Sequence, residues 1–336
     1  MSMKTSLIVT SIFEPTDAMR ELADGVKESQ WDFIVMGDNK SPSTFDLDGA
    51  RFVGMKAQRE LSFQLAAILP ENHYCRKNLG YLLAIEAGSK VLVETDDDNF
   101  PLESFWQTRS KTLAARNPDN DGWINVYRHF SETDVWPRGF PLEAVKHEKA
   151  ELGRLVEGEW PVQQGLADQN PDVDAVFRLT RKLPVSFHSS DPVSIQIGQW
   201  CPFNSQNTTW FEEAFPLLYL PAHCSFRMTD IWRSFVAQRL LWTLDSGVVF
   251  HDATVLQVRN DHDLHKDFSD EMEGYLSNPL IAFALSELTL TPGREHLAEN
   301  LLQCYNCLID LKLVGPEERP LVEAWIADMR QLGCLS

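Results

Sequence analysis

The segment KVLVETDDDN, Lys90 to Asn99, decides the fold. Val91-Leu92-Val93 is a compact apolar strand signal, and it runs directly into three adjacent carboxylates, Asp96, Asp97 and Asp98. Upstream, Asn72 to Ala87 carries Cys75, Leu79, Leu82, Leu83 and Ile85 at helical spacing, with Gly88 placed as the C′ stop. Further back the same alternation recurs. Leu7 to Thr10 reads as a strand, Thr16 to Lys27 as a helix, and Trp31 to Met36 as a second strand ending in Gly37-Asp38-Asn39-Lys40. A weak strand at Arg51 to Val53 leads into helical Gln58 to Ile68. Short strands alternating with helices predict an α/β fold with a mainly parallel central sheet. The acidic turn then falls at the carboxyl end of a parallel strand, where open α/β sheets hold their ligands.

Downstream the periodicity fades. From Asn117 to Pro202, Pro, Gly, Asp and Trp are scattered, and the stretch reads as an irregular elaboration. Regularity returns with a helix at Thr229 to Leu244 and two short strands, Val248 to Phe250 and Val255 to Val258. Beyond Asp267 the chain reads as helical, with breaks at Pro279, Pro292-Gly293 and Gly315-Pro316. The expected organisation is a catalytic α/β domain over residues 1–266 and a helical appendix over 267–336.

The 336 residues contain 30 Lys and Arg against 49 Asp and Glu, a net charge of −19, and 43% are hydrophobic. A chain of this size builds a substantial core without disulfides. Its acidic balance argues against a nucleic-acid partner or an anionic membrane held by the general field, because both need clustered cations. The opening MSMKTSLIVTSIF leads straight into an apolar strand, and no apolar run approaches membrane-spanning length. A cytoplasmic, reducing setting without a transmembrane anchor is therefore expected, with six free thiols. Cys304 and Cys307 form a C-x-x-C pair, but leucines around them mark an amphipathic helix with no second ligand pair. The sequon Asn207-Thr208-Thr209 is discounted in that setting.

Three contiguous carboxylates repel one another, and a divalent cation is their natural companion. Hard oxygen ligands suit Mg²⁺ or Mn²⁺, which commonly bridge one or two carboxylates to substrate phosphates. The plain alternative is a solvated acidic turn. An EF-hand is ruled out because its glycine and twelfth-position glutamate are missing. Arg76 and Lys77 stand in the first turn of a helix, where the macrodipole disfavours cations. That suggests an anion cradle, with a diphosphate between Arg76, Lys77 and a metal on Asp96 and Asp98. Surface cations with snorkelling stems are the other reading.

The run YCRKNLGYLLAIEAGSKVLVETDDDN, residues 74–99, resembles the nucleotide-sugar site of the STELLO-type proteins, which have a glycosyltransferase-A-like domain. PFNSQNTTWF (202–211), TDIWRSFVAQRLLW (229–242) and QVRNDHDLHKDF (257–268) are similar to STELLO segments in the same order. A more distant likeness is to the reversibly glycosylated polypeptides, the UDP-arabinopyranose mutases. The plant STELLO proteins carry an N-terminal membrane anchor that is not expected here, so Golgi residence and cellulose-synthase partnership are not expected to transfer.

The resemblance implies a GT-A fold and a metal-dependent hexosyl- or pentosyltransferase acting on a nucleotide sugar, in particular a UDP-sugar, with an unknown acceptor. Thr10, Ser11, Asp38 and Lys40 would contact base, ribose and phosphate, although Gly37 to Lys40 also reads as a mere polar turn. Asp96 and Asp98 would hold the metal, with Asp97 assigned to donor binding and catalysis. His262 would complete the metal shell, with His251 and His265 as runners-up. Asp230 is either the N-cap of its helix or the carboxylate acting as general base or sugar ligand, and the two are compatible. Asn204, Gln206 and Asn207 would read sugar hydroxyls or form an ordinary polar loop. Trp232 and Arg233 would support the site or simply pack. The rival functions are a UDP-sugar mutase and a non-catalytic nucleotide-sugar-binding scaffold.

Overall fold

The computed structural model describes residues 3–258 and 263–336. Its strands are β1 (Thr5–Thr10), β2 (Asp32–Met36), β3 (Arg51–Val53), β4 (Val91–Thr95), β5 (Asn99–Pro101), β6 (Thr112–Pro118), β7 (Gly122–Trp123), β8 (Leu152–Glu159), β9 (Val162–Asp168), β10 (Val193–Ile195), β11 (Gln199–Trp200), β12 (Asn207–Phe211) and β13 (Val248–Gln257). The helices are α1 (Asp17–Ser29), α2 (Met55–Arg59), α3 (Gln64–Ile68), α4 (Lys77–Glu86), α5 (Ala175–Thr180), α6 (Thr229–Trp242), α7 (Leu264–Glu287), α8 (Leu297–Asp310) and α9 (Glu318–Gln331). One large sheet runs β3-β2-β1-β4-β12-β9-β13-β10-β6-β8, with β5 on β13 and a separate β7–β11 pair.

The parallel block β3-β2-β1-β4 is the α/β half that the sequence announced. Alternation along β1 explains why both its faces are covered. Leu7 and Val9 join Met19, Leu22, Ala23 and Val26 of α1 in one apolar cluster, while Ile8 joins Leu79, Leu82 and Leu83 of α4 in the other. Gly80 permits that second contact: a Cβ there would meet Ile8 and Met36 side-chain atoms at 2.9 Å. Thr16 caps α1 by accepting from the Met19 amide at 3.1 Å, and Gly88, at φ +86°, stops α4 as expected. Beyond β4 the sheet turns mixed. β12 is antiparallel to both β4 and β9, while β13 runs parallel to β9. A Rossmann-like parallel α/β block, continued by mixed strands and followed by a helical C-terminal region, is present.

Several local expectations shift. The predicted helix from Asn72 begins as a 3₁₀ turn over Tyr74–Arg76, and α4 proper starts at Lys77. Gln58 to Ile68 divides into α2 and α3. Pro279 does not break its helix, since α7 continues through it to Glu287. The two late strands are one strand, β13, whose register slips between His251 and Ala253 and again between Ala253 and Val255. The irregular middle supplies β9 to the centre of the sheet. Its sequence VQQGLAD hides that position because Gln163 and Gln164 are buried yet satisfied, donating to the Ser110 and Asn207 carbonyls at 2.8 and 3.1 Å.

The tail is tied to the body by carboxylates. Asp328 of α9 accepts from the Gln64 and Leu65 amides at 2.7 and 2.9 Å, and Glu318 accepts from Ala222 and His223. Ile281, Leu301 and Trp325 of the last three helices share one core with α4 and α6. Among the described residues no helix is long and apolar enough to cross a membrane. All six cysteines are free.

Helix α6 is buried on almost every side, so its polar residues must be paired within the core. Arg233 meets Glu94 of β4 at 2.8 and 3.1 Å, and Glu94 also accepts from Trp210 Nε1 at 2.8 Å and from Tyr81. Removing one partner strands the other charge. Arg233→Met should therefore lower urea-derived stability by about 3–5 kcal/mol, and Glu94→Leu combined with Arg233→Met should lose distinctly less.

Candidate functional site

A cleft of about 620 Å³ opens at the carboxyl edge of β1, β2 and β4. It is lined by Thr10, Ser11, Asp38, Lys40, Arg76, Asp96, Asp97, Asp98, Gln206 and Asp230, so residues far apart in sequence converge there as expected. Topology accounts for the convergence. Strands β1, β2 and β4 end side by side, β12 brings residues 205–207 against Thr95, and the first turn of α6 supplies Asp230.

The three aspartates leave the strand in different directions. Asp97 accepts from Ser11 Oγ on the β1–α1 connection, and its carbonyl accepts from Thr16 Oγ1. Asp98 accepts from Gln257 Nε2 of β13 at 3.1 and 3.2 Å. Asp96 accepts from Tyr74 Oη at 3.2 Å and stands 3.9 Å from Lys77 Nζ. Burial pushes the Asp96 carboxyl up to about 8; Asp98, Asp97 and Asp230 add to the shift and Lys77 opposes it. Burial likewise raises Asp97 to about 6, against the hydrogen bond from Ser11.

The anion cradle takes a different form from the one expected. Lys77 is fully buried beneath the acidic turn, with Nζ donating to Tyr74 Oη at 2.8 Å and to the Thr95 and Ser205 carbonyls at 3.1 and 3.3 Å. It is an internal counter-charge for Asp96 and does not line the cleft. Arg76 reaches the cleft wall, but its guanidinium donates to Gln58 Oε1 at 2.8 Å and to the Leu69 carbonyl at 2.9 Å. The backbone amides near this helix start are also occupied, because Asp38 accepts from Asn72 and His73 at 2.8 and 2.9 Å. A carboxylate of the chain itself therefore fills the place assigned to a phosphate. Lys40 is exposed at the cleft rim.

Asp230 also departs from its capping role. It makes no cap bond and instead accepts both contacts of Arg138 Nη2 at 3.0 Å, together with the Ser205 amide and hydroxyl at 3.2 and 3.3 Å. Arg138 is shared with Asp172, at 2.7 and 2.8 Å. Asn204 and Asn207 lie behind the wall. Asn204 Oδ1 accepts from the Gln206 amide, while Asn207 Nδ2 donates to the Leu166 carbonyl and to Thr254. Both are consumed by the sheet, and burial of Asn207 also removes the glycosylation sequon from the surface. Trp232 packs in the core with its indole N–H on Asn278, and Arg233 acts one layer down through Glu94. His262 lies outside the described residues. His251 is half-buried, its Nδ1 beside the Asp252 carbonyl, and His265 is exposed on α7; neither lines the cleft.

Sequence reasoning missed Tyr74, Arg138, Asp172, Ser205, Phe226 and Gln257 of the lining. Tyr74 was within reach, since it opens the quoted motif. Arg138 and Asp172 were not, because they come from the aperiodic middle.

The fold and cleft define an α/β protein with an acidic cleft at the carboxyl edge of a parallel strand block. By sequence the chain is a relative of the STELLO glycosyltransferases: residues 227–335 match the model of the family so described. It is 30% identical over 357 aligned positions to "Probable glycosyltransferase STELLO2" of Arabidopsis thaliana, covering 97% of this chain and 45% of that protein. To "Probable glycosyltransferase STELLO1" of the same plant it is 33% identical over 271 positions, covering 74% and 34%. The chain thus spans less than half the length of these relatives. Among solved structures, M. tuberculosis glucosyl-3-phosphoglycerate synthase aligns with a TM-score of 0.42 and 12% identity, over 83% of this chain and 80% of that one. A mycobacterial protein aligns at 0.40 and 12%, over 90% and 74%.

The burial of Arg76 has a measurable consequence. Arg76→Ala strands Gln58 Oε1 and the Leu69 carbonyl, so the variant should lose about 1–3 kcal/mol in urea unfolding and melt earlier without any ligand. This reverses the neutral effect on stability that a surface cation at a helix start implies.

Proposed function

We propose that the chain is a metal-dependent glycosyltransferase that takes a nucleotide sugar, most specifically a UDP-sugar, as donor. One observation carries the reading: Asp96, Asp97 and Asp98 open into the same cleft as the ends of β1 and β2 and the start of α6. The names of the relatives support the class of reaction, and the cleft supports the ligand. Its size suits a nucleotide diphosphate with a sugar.

The donor set fits a hard divalent cation. Asp96 and Asp98 offer carboxylate oxygens; burial raises the Asp96 carboxyl, the neighbouring Asp98, Asp97 and Asp230 add to the shift, and Lys77 opposes it. Among the described residues no group of three or more His, Cys, Asp and Glu side chains forms a metal cage. A site of this kind relies on substrate phosphates for further ligands, as Mg²⁺ and Mn²⁺ sites commonly do. Bound there, Mn²⁺ or Mg²⁺ would neutralise charge developing on the departing diphosphate.

The chain's own residues do the rest. Thr10 and Ser11 border the nucleotide end, with Ser11 locked to Asp97 so that the donor wall and the acidic turn form one unit. Lys40 contributes the rim cation. Asp230, held by Arg138 and Ser205, presents a fixed carboxylate to the sugar end. With its oxygens so engaged it is better suited to orient a sugar or acceptor hydroxyl than to strip a proton from one.

Metal binding must displace the proton that Asp96 holds below about pH 8. Mn²⁺ affinity measured by calorimetry should therefore rise about tenfold per pH unit from pH 6 toward 8 and level off above. Asp98→Asn should abolish Mn²⁺-dependent UDP binding while the melting temperature holds. Unchanged affinity in that variant removes the metal from the reading.

Asp230→Asn keeps the shape and the Ser205 contacts. With the positioning carboxylate lost, it should retain UDP affinity and lose turnover by about 10² or more, scored by product formation from a panel of UDP-sugars. A product with no added acceptor, in which the sugar itself is rearranged, would favour a mutase.

A further inference from the structure

Helix α7 buries one face and leaves a second apolar face uncovered. Gly274, Asn278, Ile281, Ala282 and Leu285 turn into the body. On the other side Met272 is 38% exposed, Leu276 74%, Leu280 47% and Phe283 64%. A helix docked on a core needs one apolar stripe, and the second asks for a partner.

The order of residues along that stripe identifies the partner. Counted from Leu276, Met272 and Leu280 stand at minus and plus four, Ser269 and Phe283 at minus and plus seven, and His265 and Glu287 at minus and plus eleven. At about 100° per residue all seven fall within about 40° of one line along the helix. Symmetry in position follows from the helical repeat, and the content adds complementarity at the two ends, where a histidine and a glutamate stand at matching distances from Leu276. Rotating a second copy about a two-fold axis through Leu276 sets each Met272 on a Leu280 and each Ser269 opposite a Phe283. It also brings each His265 imidazole to a Glu287 carboxylate, once at either end. A parallel pairing would instead set Glu287 on Glu287. The apolar stripe closed at its ends by opposite polar groups is the signature of an isologous antiparallel contact.

We propose that the exposed face of α7 is a homodimer interface, occupied by the same helix of a second copy running antiparallel, with Leu276 on the two-fold axis. None of these seven residues lines the acidic cleft. The proposal therefore stands or falls independently of the sugar-transfer reading.

The full chain should sediment as a dimer at tens of micromolar (about 10–100 µM). Leu276→Glu should give a monomer with unchanged circular dichroism and a melting temperature that no longer rises with protein concentration. Leu276→Cys should form a disulfide-linked dimer under mild oxidation, where the wild-type chain does not, because only a residue on the axis faces its own copy. Glu287→Lys should weaken dimerisation by about tenfold, and His265→Glu added to it should restore the dimer. A wild-type monomer at about 100 µM overturns the proposal. So does a dimer unaffected by Leu276→Glu, a Leu276→Cys chain that cross-links no better than wild type, or a Glu287→Lys defect that His265→Glu fails to repair. If Leu276→Glu misfolds, the charge-exchange pair on the surface decides the matter alone. A monomer that binds lipid vesicles or another protein through this stripe also counts against it.

Discussion

The cleft gathers six carboxylates, those of Asp38, Asp96, Asp97, Asp98, Asp172 and Asp230, and the protein must hold these half-buried and buried charges close together. An uncompensated buried carboxylate costs several kcal/mol, so each one has been given an internal donor. Lys77 lies under Asp96, and Arg138 bridges Asp172 and Asp230. Ser11 holds Asp97, Gln257 donates to Asp98, and two loop amides and the Asn39 amide serve Asp38. Much of the surrounding structure follows from these pairings. The 3₁₀ turn at Tyr74–Arg76 delivers Lys77 beneath the strand ends, and β12 starts where Ser205 can meet both Tyr74 and Asp230.

That arrangement separates two kinds of cation. Lys77, Arg138 and Arg233 are spent inside the protein as counter-charges, and Arg76 acts as a strut between Gln58 and Leu69. Lys40 stands exposed at the rim of the same cleft. Even with these partners, burial pushes Asp96 and Asp97 up to about 8 and about 6.

The supporting frame reaches far from the cleft. Asp230 and Arg233 sit three residues apart on α6, so the same helix addresses the cleft with one side chain and clamps Glu94 of β4 with the other. Helices α8 and α9 then close the opposite side, with Trp325 donating to the Pro216 carbonyl at 3.0 Å. The stretch that matches the family model, residues 227–335, therefore holds a wall of the cleft and the helices that brace it.

The sequence by itself determined the parallel strand block, the helix and glycine stop before β4, and the acidic turn. Each of these is written in local periodicity, in capping chemistry or in adjacent residues, and local spacing is what a single chain displays. It also marked Ser11, Asp38, Asp96, Asp97, Asp98 and Asp230 as belonging together, and they line one cleft. Only the tertiary structure decided what each side chain does there. Lys77 and Arg76 look alike in sequence, yet one is buried under Asp96 and the other holds Gln58, because burial and partner choice depend on β12 and α2, remote in the chain. The place of β9 was hidden because its glutamines imitate a loop until their hydrogen bonds are known. Arg138 and Asp172 were invisible for the same reason. Ion pairs between distant residues obey no period, so they become legible only when the fold brings the partners within a few ångströms.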